Sequence, residues 1–194
     1  MEIGATKAVQ DRLKTTKIEE SKGASLVFCW DTHLTKIKGR NVLFIVNASN
    51  RYTIAMTDIE PRNWNYYAMY IIRVIHGMMQ EMGYSEEQIE QYFKMSGDTT
   101  ITKTHGRKSV GGINRMVMDA QYFGKKLEKE AKYQWELSEY LNRDICQPEG
   151  FDANGYPSEL FKLDMERLGI AAKRKPAKII DFTQYIDTNR STNH

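Results

Sequence analysis

Between residues 25 and 57, three apolar runs rich in Val, Ile, Leu and Phe follow one another with only turn-forming residues between them. No other feature constrains the fold as tightly. Residues 25–30 and 41–46 are near-continuous apolar runs, and 51–57 alternates Tyr52, Ile54 and Met56 on one face, as strands do. The turn formers Asn47-Ala48-Ser49-Asn50 predict that the last two pair as an antiparallel hairpin. Strands that succeed one another without intervening helices exclude the strict βα alternation of a doubly wound sheet.

Helical spacing dominates elsewhere. Ala5, Val9 and Leu13 recur every four residues over 5–14, a short amphipathic helix. Pro61 opens the strongest helical pattern, in which Trp64, Tyr67, Ile71, Ile75, Met78 and Met82 recur at three and four residues until Gly83. Ser85 with Gln88 forms a capping box for a second, shorter helix that stops near Gly97. Residues 99–104 alternate as a strand. From Ile113 through Phe123, Leu127 and Trp135 to Leu141, apolar residues hold one helical register, with Gly124 a point of interruption. The expected architecture is α+β: a small antiparallel sheet covered on one face by helices, with a long C-terminal amphipathic helix. Residues 1–148 read as a single domain. Residues 149–194 read as a loop, a helix capped by Ser158, and a tail with an apolar patch at 179–186.

A formal net charge of +3 over 194 residues is too mild to mark a dedicated nucleic-acid binder. No apolar run reaches the roughly 18 residues of a membrane span, and Met1-Glu2-Ile3 leads into charged residues rather than an apolar leader, so the chain reads as cytoplasmic with no membrane partner. Cys29 and Cys146 form no C-x-x-C pattern. The four histidines, His33, His76, His105 and His194, are too scattered for a metal signature, so neither a metal nor another cofactor is expected.

The passage from Thr102 to Asn114 is the most unusual in the chain. Glycines ahead of a helix let the backbone approach an anion, and Lys103, Arg107, Lys108 and Arg115 add positive charge. Residues 98–129 carry seven Lys and Arg against three Asp and Glu, which suits nucleic acid or an acidic partner protein. No nucleotide-loop motif is present, and the same residues would serve equally to end a strand and cap a helix. His33 and His105 are the candidates for acid–base chemistry, although no nucleophile accompanies them.

The ordered set Trp30-x-x-His33, Arg40, Val46-Asn47, Asn50-Arg51-Tyr52-Thr53, Lys103-Thr104-x-x-Arg107 and Gly111-x-Ile113-Asn114, with Thr6-Lys7 and Asp11-Arg12-Leu13 ahead of it, resembles a bacterial family. It is similar to the domain of unknown function catalogued under the number six-nine-three-three, over about residues 3–125. The resemblance carries no activity. It implies that Asn47, Arg51, Thr104, Arg107 and Asn114 recur as one polar set around the sheet and the start of the long helix. With Lys108, these residues are the expected site for an anionic ligand, and the chain is expected to be a non-catalytic binding module for that ligand, nucleic acid or a partner protein. The alternative is a hydrolase or phosphodiester-cleaving enzyme using His33 and His105 with Arg51 and Arg107, and self-association is expected through the long helix.

Overall fold

The computed structural model describes residues 1–14 and 18–172. The apolar patch expected at 179–186 lies outside them. Strands β1 (Glu2–Ala5), β2 (Cys29–Ile37), β3 (Arg40–Asn47), β4 (Thr53–Thr57) and β5 (Thr100–Thr102) form one sheet in the order β4-β3-β2-β1-β5. The expected β2-β3-β4 meander is antiparallel, with Trp30 opposite Asn47 and Phe44 opposite Ala55. The sheet as a whole is mixed, because β1 lies parallel to both β2 and β5. This corrects the antiparallel expectation: residues 2–5, opened by a glutamate, belong to a strand, and α1 (Lys7–Leu13) begins only after Thr6. Parallel neighbours need long crossovers, so their pairing leaves no trace in local sequence.

Strand alternation sends neighbouring side chains to opposite faces. One face carries Ile3, Trp30, Leu43, Ile45, Ile54 and Met56. It is covered by α3 (Tyr67–Glu81), α4 (Glu86–Ser96) and α7 (Pro157–Arg167). Trp30 packs on Phe161 with ring centroids 6.1 Å apart, and its Nε1 donates to Tyr92 Oη at 2.9 Å. Tyr92 in turn donates to the Val27 carbonyl at 2.7 Å, so both polar atoms of the aromatic pair are satisfied. Phe161 and Met165 are fully buried in this core although they follow the composition break at 148. The Ser85–Gln88 capping box opens α4 as expected. The helical pattern begun at Pro61 divides at Tyr66 into α2 (Pro61–Asn65) and α3.

The opposite face is covered too, a second correction to the expected architecture. Here Ile37, Val42, Phe44, Val46 and Ala55 meet Ile113, Met116 and Ala120 of α5 (Gly106–Gln121) and Leu137 and Leu141 of α6 (Trp135–Asn142). The long helix expected through Leu141 is therefore two helices, joined by residues 122–134. The unpaired edge of β4 accounts for the break. Thr57 N donates to Lys132 O at 2.7 Å and Gln134 N to Ala55 O at 2.9 Å, so the chain must leave the helix to supply that edge. Side chains of α6 complete the edge: Ser138 Oγ accepts from Ala55 N at 3.0 Å, and Asn142 bonds both Thr53 N and Thr53 O at 2.8 Å. Self-association along one continuous helix thus has no such helix to use. Among the described residues, no helix is long and apolar enough to cross a membrane.

Candidate functional site

Asp31 is a charge placed in the middle of a strand, and a buried charge must find partners. Trp30 turns to the α3 face, so Asp31 turns to the α5 face, next to β1. Its neighbour there is Gly4, where an added Cβ would fall 1.8 Å from Asp31 Oδ1. The missing side chain is the room the carboxylate occupies. Asp31 accepts from His105 Nδ1 at 2.7 Å, from the His105 backbone N–H at 3.3 Å, and from Ser109 Oγ. It stands where α5 begins, bonded to His105, which precedes the helix, and to the Ser109 side chain in its first turn. The anion that the start of α5 was expected to attract is thus one of the chain's own carboxylates.

The second ring nitrogen of His105 continues the network. Nε2 lies 2.9 Å from Glu2 Oε2, and Glu2 also accepts from Ser21 Oγ at 2.6 Å and Lys22 N at 2.8 Å. Burial disfavours the imidazolium, but the hydrogen bond and charge of Asp31, with the neighbouring Cys29 sulfur adding to them, outweigh it and raise His105 to about 10. Burial likewise opposes the Glu2 carboxylate, and the bonds from Ser21, Lys22 and His105 overcome it and lower its pKa. A protonated histidine is therefore held between two carboxylates, its side chain 3% exposed. Cys29 completes the cluster, its Sγ donating to Ser25 O at 3.4 Å and Ala24 O at 3.6 Å.

Arg51 lies farther along the same face. It closes the β3–β4 turn with φ +65°, a left-handed conformation unusual for arginine and tolerated because Asn47 and Asn50 hold the turn. Asn47 Oδ1 accepts from Ser49 N and Asn50 N, its Nδ2 donates to Val27 O, and Asn50 Oδ1 accepts from Tyr52 N. The Arg51 guanidinium lies under α5, where a Cβ on Gly112 would come within 2.4 Å of Nη2. Among the described residues no carboxylate forms an ion pair with it, and its polar contact is the thiol of Cys146. A narrow depression of about 10 Å³ beside it is lined by Asn47, Lys108, Ser109, Gln147, Pro148 and Glu149, the last a carboxylate. Lys108 Nζ donates to Pro148 O at 3.2 Å across it.

Of the expected ligand residues, the structure brings together Arg51, Lys108 and Asn47 at this depression, with Asn47 occupied in shaping the turn. Arg107 and Asn114 are exposed on α5 outside it, and Thr104 is half-buried outside it. Lys103 and Arg115 are neutralised locally by Glu20 and Asp119. His33 is half-buried, within 3.2 Å of Thr6 Oγ1, and burial lowers its pKa. No hydrogen bond among the described residues joins it to His105. A groove of about 630 Å³ lies between the end of α5 and α6 and holds none of the expected ligand residues. Its charges pair with one another, as in Lys125–Glu136 at 2.5 Å and Arg143–Glu139 at 2.9 Å.

Sequence reasoning missed Glu2, Asp31 and Cys29. The available signal was a carboxylate inside an apolar strand, which is rarely buried without a purpose.

The chain matches the model of the family described as Domain of unknown function (DUF6933) over residues 2–160, and it belongs to that family. The match runs past the motifs quoted above to include α6 and the first residues of α7. No curated protein and no solved structure matches the chain.

Proposed function

We propose that this family member is a non-catalytic binding module that takes an anionic group, of nucleic acid or of an acidic partner, at the rim formed by Arg51 and Lys108, with the exposed Arg107 of α5 outside it. The observation that carries this reading is Arg51: a half-buried, permanently charged fork of donors with no carboxylate partner among the described residues. The chain holds it there at the cost of a left-handed backbone and keeps its neighbour at 112 a glycine. Its donors face the depression beside Lys108, where an anion at the rim would receive charge-assisted hydrogen bonds and would have Glu149 as its unfavourable neighbour. The hydrolytic alternative gains no support, since both ring nitrogens of His105 are engaged by buried carboxylates and its ring is closed off from solvent.

Fluorescence anisotropy with labelled single-stranded DNA, duplex DNA and an acidic peptide tests the proposal. At least one should bind in a salt-sensitive manner. Arg51→Gln should weaken that binding roughly tenfold to a hundredfold, the worth of a charge-assisted hydrogen bond, with Arg51→Lys falling between. No binding of any of the three at low salt, or equal binding by Arg51→Gln, overturns it.

A further inference from the structure

Three side chains of different donor chemistry meet at one buried point of the α5 face, and we propose that Glu2, Cys29 and His105 form a binding site for a zinc-class transition-metal ion. An oxygen of Glu2, the sulfur of Cys29 and a ring nitrogen of His105 all lie within 4.8 Å of one another. Tetrahedral coordination at ordinary zinc bond lengths needs donors about 3.3–3.8 Å apart, so small side-chain shifts bring them into range. The mixed set selects the ion. Thiolate and imidazole favour zinc and its neighbours, whereas magnesium and calcium prefer all-oxygen shells.

The surroundings are those of a metal centre. Asp31 Oδ1 takes the Nδ1 proton of His105 at 2.7 Å, which leaves Nε2, the nitrogen turned toward Glu2, as the ligand. Histidine ligands are oriented in this way by an outer carboxylate. Gly4 keeps the space for that carboxylate, so Asp31 is a positioning residue. Glu2 and Cys29 are both tied to the exposed loop over the cluster, through Ser21, Lys22, Ala24 and Ser25. One layer of loop is all that an incoming ion must displace. Binding exchanges a divalent ion for two protons, one from the Cys29 thiol and one from His105 Nε2. The buried charge is therefore the same before and after. Three protein donors leave a fourth position for water. The site is independent of the anion-binding reading, since it shares no residue with the Arg51 rim.

The test uses the untagged full chain stripped with a chelator and titrated with Zn²⁺ and Co²⁺. One equivalent of Zn²⁺ should remain bound after gel filtration and raise the melting temperature. Co²⁺ should give a tetrahedral visible spectrum with a thiolate-to-metal charge-transfer band. Cys29→Ala should lose that band and at least tenfold in affinity, while Cys146→Ser should change neither. Asp31→Asn should weaken binding about 10–100-fold with the band retained, as expected for an outer-shell partner. Failure of the stripped native chain to retain zinc overturns the proposal whatever the variants do. So does a cobalt spectrum without the thiolate band, or one lost in Cys146→Ser instead.

Discussion

On the α3 face of the sheet, Trp30, Tyr92 and Phe161 meet as rings among aliphatic side chains, whereas on the α5 face the same strands present Asp31 and Glu2, with His105 from the start of α5 between them, beside Phe44 and Val46. β2 serves both, sending Trp30 one way and Asp31 the other. Apolar burial is non-directional and scales with area, so the first face supplies bulk stability and tolerates any register that keeps it buried. The second face is satisfied by one arrangement alone. Slipping β1 by one residue would move Gly4 away from Asp31 and turn Glu2 off His105. One face holds the sheet together; the other decides which strands lie side by side.

The sharpest way to break this contrast is Phe161→Ala. If the aromatic face carries the stability, the change should cost about 3–5 kcal/mol in chemical denaturation. A loss below about 1 kcal/mol would place α7 outside the core, since surface substitutions stay near that size.

The corresponding change on the polar face is Asp31→Asn, which should cost about 1–3 kcal/mol, the penalty of leaving buried hydrogen-bonding groups poorly matched. Its signature is the pH profile of chelator-treated protein. A histidine raised to about 10 in the folded chain, against about 6.5 unfolded, stabilises fully below pH 6.5 and loses that contribution as pH climbs toward 10. Denaturation midpoints should fall across that window in the native chain and fall less in Asp31→Asn. Parallel profiles would mean that His105 does not hold its proton through Asp31.

The smallest expected effect sharpens the contrast at the surface. Arg107 is exposed and has no ion pair among the described residues, so Arg107→Ala should shift stability by no more than about 0.5 kcal/mol in thermal melts. A larger loss would add a structural role on the polar face.

The readable parts of this fold were those decided within a few residues: the meander, whose turn formers and alternation are local, and the α4 capping box. β1 was unreadable because four residues carry too little pattern and its partners lie near residues 30 and 101. The break after Gln121 was hidden because the helical register continues through Leu127 and Trp135, while its cause lies in the hydrogen-bonding needs of β4, some seventy-five residues upstream by the Thr57–Lys132 spacing. Arg51 was readable only through the family's recurring polar set, and Lys108 as part of the basic stretch ahead of α5. The Glu2–His105–Asp31 cluster was not, since its members are 103 and 74 residues apart.

The way β4 is finished has a consequence for life at high concentration. An open strand edge is a template, and two copies that collide edge to edge can zip into a longer sheet. Here the outward groups of Thr53, Ala55 and Thr57 are already answered by Asn142, Ser138, Gln134 and Lys132. At the other border the short β5 is shielded by Glu19, whose carbonyl accepts from Lys103 N at 2.9 Å. The β4 border therefore offers growing fibrils little place to add the chain, and mutations at Ser138 or Asn142 would reopen it.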